Sequence, residues 1–508
     1  VSSRMDQEIE FKLLVAPDVD PVTIIEQQLQ PQWDKACHQG AADLFNVYYD
    51  TPDKQLRQWG IGLRVRGRDG VFEQTIKTDG NSEGGLHQRP EYNVAIEQQQ
   101  PDLALFESGI FPPEADVDAL QAQLQPLFTT HFHRQEYQLL PSANTEVELV
   151  VDKGNVKAND HQQPINEIEI ELKQGQVAPL FELACQLAGH MPLRIGVLSK
   201  AARGYMLAEG KELKAQPLPN FLPLSQGDAL EQAFIRALQL GIGHWLHHEQ
   251  CYQDTGSVKA LRGIWTGINL TQQALTLFLP ALQCEPLLQL HRQLQSLAES
   301  WRWVDALTAI KALKSSKGPF RKSIRKSVSM QSYLRGRLEG LLRTYQPETL
   351  IADSDKVHLQ IRLSELAYSR PWRDNDTAWQ NEVQTHARGW LAQAWANATD
   401  AIASNDSFNT DSYMACEPAL RQMLYHGLFL GDLFSPEARK QFRAPWLDIL
   451  DGIEELKVFV LLQEELQVAE VEEKDELLDS AQHKQAHLLA VMEQSRQEVL
   501  KSEPYWDE

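Results

Sequence analysis

The chain lacks the marks of several protein classes. Nowhere in its 508 residues does an uninterrupted apolar run approach the roughly 18 residues that a membrane-spanning helix requires, so no membrane partner is expected. Its five cysteines (Cys37, Cys185, Cys251, Cys284 and Cys416) are scattered, odd in number and without CxxC spacing. That pattern excludes a disulfide framework and a structural zinc site, and it points to a reducing, cytoplasmic setting. No basic–apolar–small leader precedes Met5, and Val1-Ser-Ser-Arg4 reads as a cloning remnant outside the fold. Positive charge is in the minority: 48 Lys+Arg stand against 70 Asp+Glu, a net charge of −22. Nucleic acid is therefore not an expected partner, because phosphate contacts need clustered cations, although a local basic site remains open. Fixed-period repeats and long low-complexity tracts are also missing.

What is present is globular: 42% apolar and 23% charged residues, with length enough for two or more cores. The character changes near residue 210. Before it, short segments alternate polar and apolar residues between turn signals at 69–73, 78–85 and 152–155. The pattern predicts strands at 8–15, 44–49, 61–66, 71–77, 89–95, 132–139, 145–152 and 165–172, and helices at 21–30, 116–125 and 177–189. Runs of strands with few helices between them imply an antiparallel sheet, open or closed into a barrel. A proline-rich stretch around 211–228 reads as a linker. Beyond it, apolar residues at helical spacing predict helices at 228–251, 258–279, 286–313, 320–345, 356–369, 376–403, 418–431, 436–465 and 473–500, a helical bundle. The expected fold class is α+β, with an antiparallel β domain at 5–207, a linker at 208–227 and an all-α domain at 228–500.

The strand faces carry the chemistry. Residues two apart share a face. Glu8, Glu10 and Lys12 align against Ile9, Phe11 and Leu13; Arg64 and Arg66 align against Leu63 and Val65; Glu167, Glu169 and Glu171 align against Ile168 and Ile170. Glu73 and Lys77, Arg89 and Glu91, Arg134 and Glu136, and Glu148 and Asp152 follow the same rule. A solvated outer face explains any one strand. The set is harder to explain that way, because like charges on adjacent positions repel without a counter-ion. Glu8, Glu10, Asp152, Glu167, Glu169 and Glu171 suit a hard divalent cation. Lys12, Arg64, Arg66, Lys77, Arg89 and Arg134 suit a polyanion. A closed barrel would place both sets around one wet lumen, where a metal-bearing anion reconciles them.

Glu8-Ile-Glu10-Phe-Lys12 is an ExExK signature. With GLRVRG (62–67), EQTIK (73–77), LHQRPEYNV (86–94), VVDKG (150–154), EIEIEL (167–172) and LSKAARGY (198–205), in that order, it resembles the CYTH domain of the triphosphate tunnel metalloenzymes over residues 5–207. The helical remainder resembles a CHAD domain, and the two in tandem resemble bacterial inorganic triphosphatases. The resemblance implies an eight-stranded tunnel and metal-dependent hydrolysis of inorganic triphosphate with Mg²⁺ or Mn²⁺. It further implies metal ligation by Glu8, Glu10, Asp152, Glu169 and Glu171. Phosphate binding would fall to Lys12, Arg64, Arg66, Lys77, Arg89, Arg134, Lys200 and Arg203, with Glu10, Lys77 and Glu171 as the catalytic residues. The alternatives within the same fold are a class IV adenylate cyclase and a thiamine triphosphatase; outside catalysis, the alternative is a polyphosphate-binding scaffold.

Three further features stand out. His244, His247 and His248 share one helix face without an acidic partner in sequence, and read as satisfied helix histidines. Lys311, Lys314, Lys317, Arg321, Lys322, Arg325 and Lys326 put seven cations and no acid into sixteen residues, either a solvated face or a polyphosphate patch. Trp301, Trp303, Trp390, Trp395 and Trp446 read as helix packing.

Overall fold

The computed structural model describes residues 4–33, 36–68, 70–375, 377–404 and 407–507. Val1–Ser3 and Asp69, the first residue of one expected turn, lie outside the described residues. Two compact units emerge. One comprises 1–214 together with 348–369, and the other 215–347 together with 370–508.

In the first unit, ten strands form one sheet: β1 (Arg4–Val15), β2 (Ala36–Asp50), β3 (Gly62–Arg68), β4 (Val71–Lys77), β5 (Asn81–Glu83), β6 (Leu86–Ile96), β7 (Gln125–Ser142), β8 (Thr145–Ala158), β9 (His161–Gln174) and β10 (Leu193–Ile195). The order runs β1-β9-β8-β7-β2-β3-β4-β6, and β6 pairs again with β1. Eight antiparallel strands thus close a barrel, with β5 and β10 as short additions. The fold class is the α+β one expected.

The barrel is apolar outside and charged inside. Phe11, Leu13, Ile168 and Ile170 are buried together with Leu180, Phe181, Ala184 and Leu187 of the helix Ala178–His190. Phe128, Phe132 and Tyr205 form a second core beneath the helix Lys200–Ala208. Leu63, Ile76 and Val94 form a third with Leu103, Phe106 and Leu120. With the apolar faces committed outward, the alternating pattern sends the charged faces into the lumen.

Several boundaries differ from the sequence reading. β7 begins at Gln125 because the preceding helix, Val117–Gln123, ends early. The helix Lys200–Ala208 was not anticipated; Ser199 caps it by accepting from the Ala202 amide. The expected helix 286–313 is two, Glu285–Ser300 and Trp303–Leu313, divided at the buried Trp301. The expected helix 320–345 is divided at Ser327, whose hydroxyl caps the second piece at Met330. The helix expected from Pro418 begins at Thr410, capped by Asn409, and carries Pro418 inside it.

The second unit is helical. Its first two long helices, Leu230–Thr255 and Val258–Phe278, pack closely because a Cβ on Gly267 would lie 2.6 Å from the Trp245 backbone. Trp245, Trp301 and Trp446 are buried, and Trp390 packs on Phe278. His248 Nδ1 lies 2.7 Å from the His244 carbonyl, and Nε2 accepts from the Gln216 amide at 3.0 Å, so both ring nitrogens are engaged. Among the described residues, no helix is long and apolar enough to cross a membrane.

Candidate functional site

Strand register builds the site. Glu10 of β1 lies directly opposite Glu171 of β9, which lies opposite Glu148 of β8. The next rows set Lys12 against Glu169, and Arg134 against Asp152 against Glu167. On the other wall, Glu8 faces Arg89, Lys77 faces Glu91 and Arg66 faces Asn46. The result is a cavity of about 680 Å³ whose described lining includes nine cationic and eight carboxylate side chains. Glu8, Glu10, Lys12, Arg64, Arg66, Lys77, Arg89, Arg134, Glu169, Glu171 and Lys200 all line it.

Three expected residues stand apart from the lining: Asp152, Glu167 and Arg203. Asp152 is wholly buried behind Arg134, which donates to both its oxygens at 2.7 Å. Arg203 donates to the Pro164 carbonyl and lies 3.6 Å from Glu167.

Asp152, Glu167 and Glu169 form a deep triad whose oxygens lie within 4.8 Å of one another. Three resident cations neutralise it. Lys200 lies 2.7 Å from Asp152 and 2.9 Å from Glu169, and also pairs with Glu167. Lys12 lies 3.2 Å from Glu167 and pairs with Glu169, and Arg134 reaches Glu169 at 3.1 Å. Burial alone works against the charge on Lys12, but Glu10, Glu167 and Glu169 together hold it well above the ordinary lysine range. Burial likewise opposes the charge on Glu169, yet Lys12, Lys200 and Arg134 keep it well below the usual carboxylate range. The triad is an anchor that fixes three ammonium and guanidinium heads at the lumen wall.

The outer row behaves differently. Burial pushes Glu171 up to about 7; Lys173 opposes this, at 2.7 Å, while Glu8 and Glu148 add to it. Burial also raises Glu10, against the pull of Lys12 and with the push of Glu169 and Glu8. Directly opposed carboxylates that the protein does not fully neutralise are the oxygen donor set a hard divalent cation takes. Glu10 and Glu171 fit such an ion on this ground; Glu8, which faces Arg89 and accepts from Lys77, and Glu169 lie beside them in the lining.

The cations also divide. Arg64 pairs with Glu91 at 3.3 Å. Burial opposes the charge on Glu91, but Lys77 and then Arg64 draw it down to about 2. Arg66 donates to Asn46 Oδ1 at 3.0 Å and has no carboxylate partner among the described residues. Burial, with Arg64 and Arg134 adding, lowers it to about 10. Among the described residues, the Arg89 guanidinium has a hydrogen bond to the His87 ring, at 3.4 Å, and no carboxylate partner. A lumen with two guanidiniums left unmatched is prepared for an anion.

Sequence reasoning missed Lys173, which bridges Glu171 and Glu148 at 2.7 and 3.1 Å, and Asn46, which orients Arg66. Lys173 was findable, since it lies two residues beyond Glu171 on the same strand face. Asn46 was not, because its role depends on the β2–β3 register.

Residues 6–205 match the CYTH domain. Over 204 residues the chain is 38% identical to an inorganic triphosphatase of Haemophilus influenzae; the match covers 40% of this chain and 55% of that relative, about half its length. Among solved structures, a CHAD domain from Ricinus communis is 14% identical, covering 56% of this chain and 96% of its own, with a TM-score of 0.41. A Hippeastrum protein described as an adenylyl cyclase candidate with a dominant triphosphatase activity is 18% identical over 41% of this chain and 97% of its own, with a TM-score of 0.28.

Proposed function

We propose that the lumen binds linear inorganic triphosphate and, with Mg²⁺ or Mn²⁺, hydrolyses it to diphosphate and phosphate. The observation that carries this reading is the coexistence, in one cavity, of the incompletely neutralised row Glu10–Glu171–Glu148 and the unpaired guanidiniums of Arg66 and Arg89. The matched CYTH region and the name of the Haemophilus relative support it.

In this reading Arg64, Arg66, Arg89, Arg134, Lys12 and Lys200 neutralise the phosphate chain and hold it in line for attack. Glu8, Glu10, Glu169 and Glu171 hold the metal. When bound, the ion supplies charge neutralisation at the phosphates and lowers the pKa of a bound water. The water oxygen forms a bond to the terminal phosphorus, and the anhydride P–O bond breaks. Glu171 or Glu10 takes the water proton, and Lys77 offsets charge as diphosphate departs. Asp152 acts behind the lumen by fixing Arg134 and Lys200. The catalytic domain is 5–207, joined by 208–227 to a CHAD-like domain at 228–500, of which 348–369 groups with the barrel unit, and the setting is cytoplasmic.

A second role is favoured by one specific observation. Lys311, Lys314, Lys317, Arg321, Lys322, Arg325 and Lys326 are all exposed, and none pairs with a carboxylate among the described residues. Partial burial and then the neighbouring Arg335 and Lys311 lower Lys314, with Glu339 pulling the other way. This basic ridge binds polyphosphate.

Phosphate release from tripolyphosphate, ATP and thiamine triphosphate, with Mg²⁺, Mn²⁺ or EDTA, tests the main reading. Metal-dependent release with tripolyphosphate far ahead is expected. Cyclic AMP from ATP, preference for thiamine triphosphate, or no release with any substrate would each overturn it.

A further inference from the structure

The compact unit that contains the barrel includes one helix from far downstream. Ser354–Ser369 packs with the barrel unit, whereas the residues flanking 348–369 on both sides along the chain belong to the other unit. The helix is pinned to Ala178–His190 at two points. His358 Nε2 lies 2.6 Å from the Cys185 carbonyl, and Arg362 donates to Glu182 at 2.7 and 3.2 Å. Its apolar side, including Val357, Ile361 and Leu363, is wholly buried.

At its far end the helix meets the turn between β5 and β6. The Ser364 hydroxyl donates to the Gly84 carbonyl at 2.8 Å. There is no room for a side chain at this turn: a Cβ on Gly84 would lie 1.9 Å from Ser364 Oγ, and one on Gly85 would lie 2.3 Å from Ile195 and 3.2 Å from Phe11. Both glycines have positive φ, +55° and +99°, which favours glycine independently of the crowding. The Gly85 carbonyl then accepts from the Lys12 backbone amide at 3.3 Å. A parallel route runs through rings. Tyr368 of the helix lies 6.2 Å from Phe181, which lies 5.9 Å edge-on from Phe11, the residue before Lys12.

The geometry points to Ser354–Ser369 as a positioning element of the lumen: through Ser364 and the Gly84–Gly85 turn it fixes the backbone at Lys12, and through Lys12 the grip on phosphate. Among the described residues, the hydrogen-bond partners of the Ser364 hydroxyl are the Gly84 and Gln360 carbonyls, which are not part of the lumen lining. Ser364 acts on the one segment that both closes β6 onto β1 and carries the chain towards Arg89. A domain ending near residue 207 would keep every lumen residue and lose this support.

The part concerned with phosphate grip rests on the function proposed above, and the test separates the two. In the full chain, Ser364→Ala removes the hydroxyl, and Gly84→Ala drives a methyl into it. Backbone amide exchange at Lys12, followed in overlapping peptides across Glu10–Leu14, should quicken about tenfold in both variants. The KM for tripolyphosphate should rise about fivefold, with kcat within twofold of wild type. A clasp with a purely structural role would lower the melting temperature and leave Lys12 exchange and KM at wild-type values, and that result would overturn the inference. If the wild type does not turn over tripolyphosphate, the proposed function fails, while Lys12 exchange still decides whether the helix positions that strand.

Discussion

Lys77 Nζ donates to both carboxylate oxygens of Glu8, at 2.5 and 2.6 Å, and lies 3.3 Å from Glu91. A residue read as a phosphate ligand thus holds one read as a metal ligand. The two charge sets of the lumen are interlocked rather than side by side. In the proposed reading, a cation that engaged Glu8 would compete with Lys77 and free it for phosphate.

It follows that Glu8→Gln should weaken Mn²⁺ binding by about tenfold or more, on the scale by which even outer-shell groups tune metal sites. Calorimetric titration with Mn²⁺ alone, without substrate, measures this. Unchanged affinity would remove Glu8 from the ligand set.

Lys12 is almost wholly buried and neutralises Glu167 and Glu169. Lys12→Met leaves those carboxylates with one fewer counter-charge, Glu167 wholly buried and Glu169 at the lumen wall. Breaking a buried pair from one side costs about 3–5 kcal/mol. Urea unfolding of the variant should show a loss of that order, and a loss under about 1 kcal/mol would contradict the anchor role given to the deep triad.

His426 lies buried in the helical unit, and neither ring nitrogen has a hydrogen-bond partner among the described residues. Burial lowers its pKa to about 4. The folded state therefore binds fewer protons than the unfolded chain between about pH 4 and the ordinary histidine value near 6.5. Its contribution is fully present above about 6.5 and is lost as pH falls towards 4, amounting to about 3 kcal/mol. Melting curves across this window should be flatter for His426→Phe than for wild type. Parallel curves would show that His426 is not the titrating group.

The basic ridge gives a separable prediction. Replacing Lys322, Arg325 and Lys326 with glutamine should weaken polyphosphate binding at least about tenfold and make its salt dependence shallower, because fewer counterions are released. Tripolyphosphate turnover should be unaffected. Equal affinity and equal salt slope would leave the ridge as a solvated face.

Much of the lumen was legible because a strand has a period of two. Parity alone placed Glu8, Glu10 and Lys12 on one face, and Glu167, Glu169 and Glu171 on another. Parity does not say which carboxylates face each other; that needed the register that sets Glu10 against Glu171 and Glu148. Nor does it give depth, so Asp152 and Glu169 looked equivalent in sequence, although one is closed off behind Arg134 and the other lines the cavity. The helix Ser354–Ser369 was legible as a helix but not as part of the barrel unit, since its partners lie about 170–280 residues away along the chain. Local periodicity carries no information at that range.

Arg66 tests the central claim most directly. It is the lumen guanidinium held by Asn46 and left without a carboxylate partner among the described residues, so its charge is available to an anion. Arg66→Ala should lower the turnover of tripolyphosphate by roughly 10²–10³, as the loss of one preorganised electrostatic group does, with the circular dichroism spectrum and melting temperature unchanged. Wild-type turnover in that variant would contradict the account of the lumen as a triphosphate site.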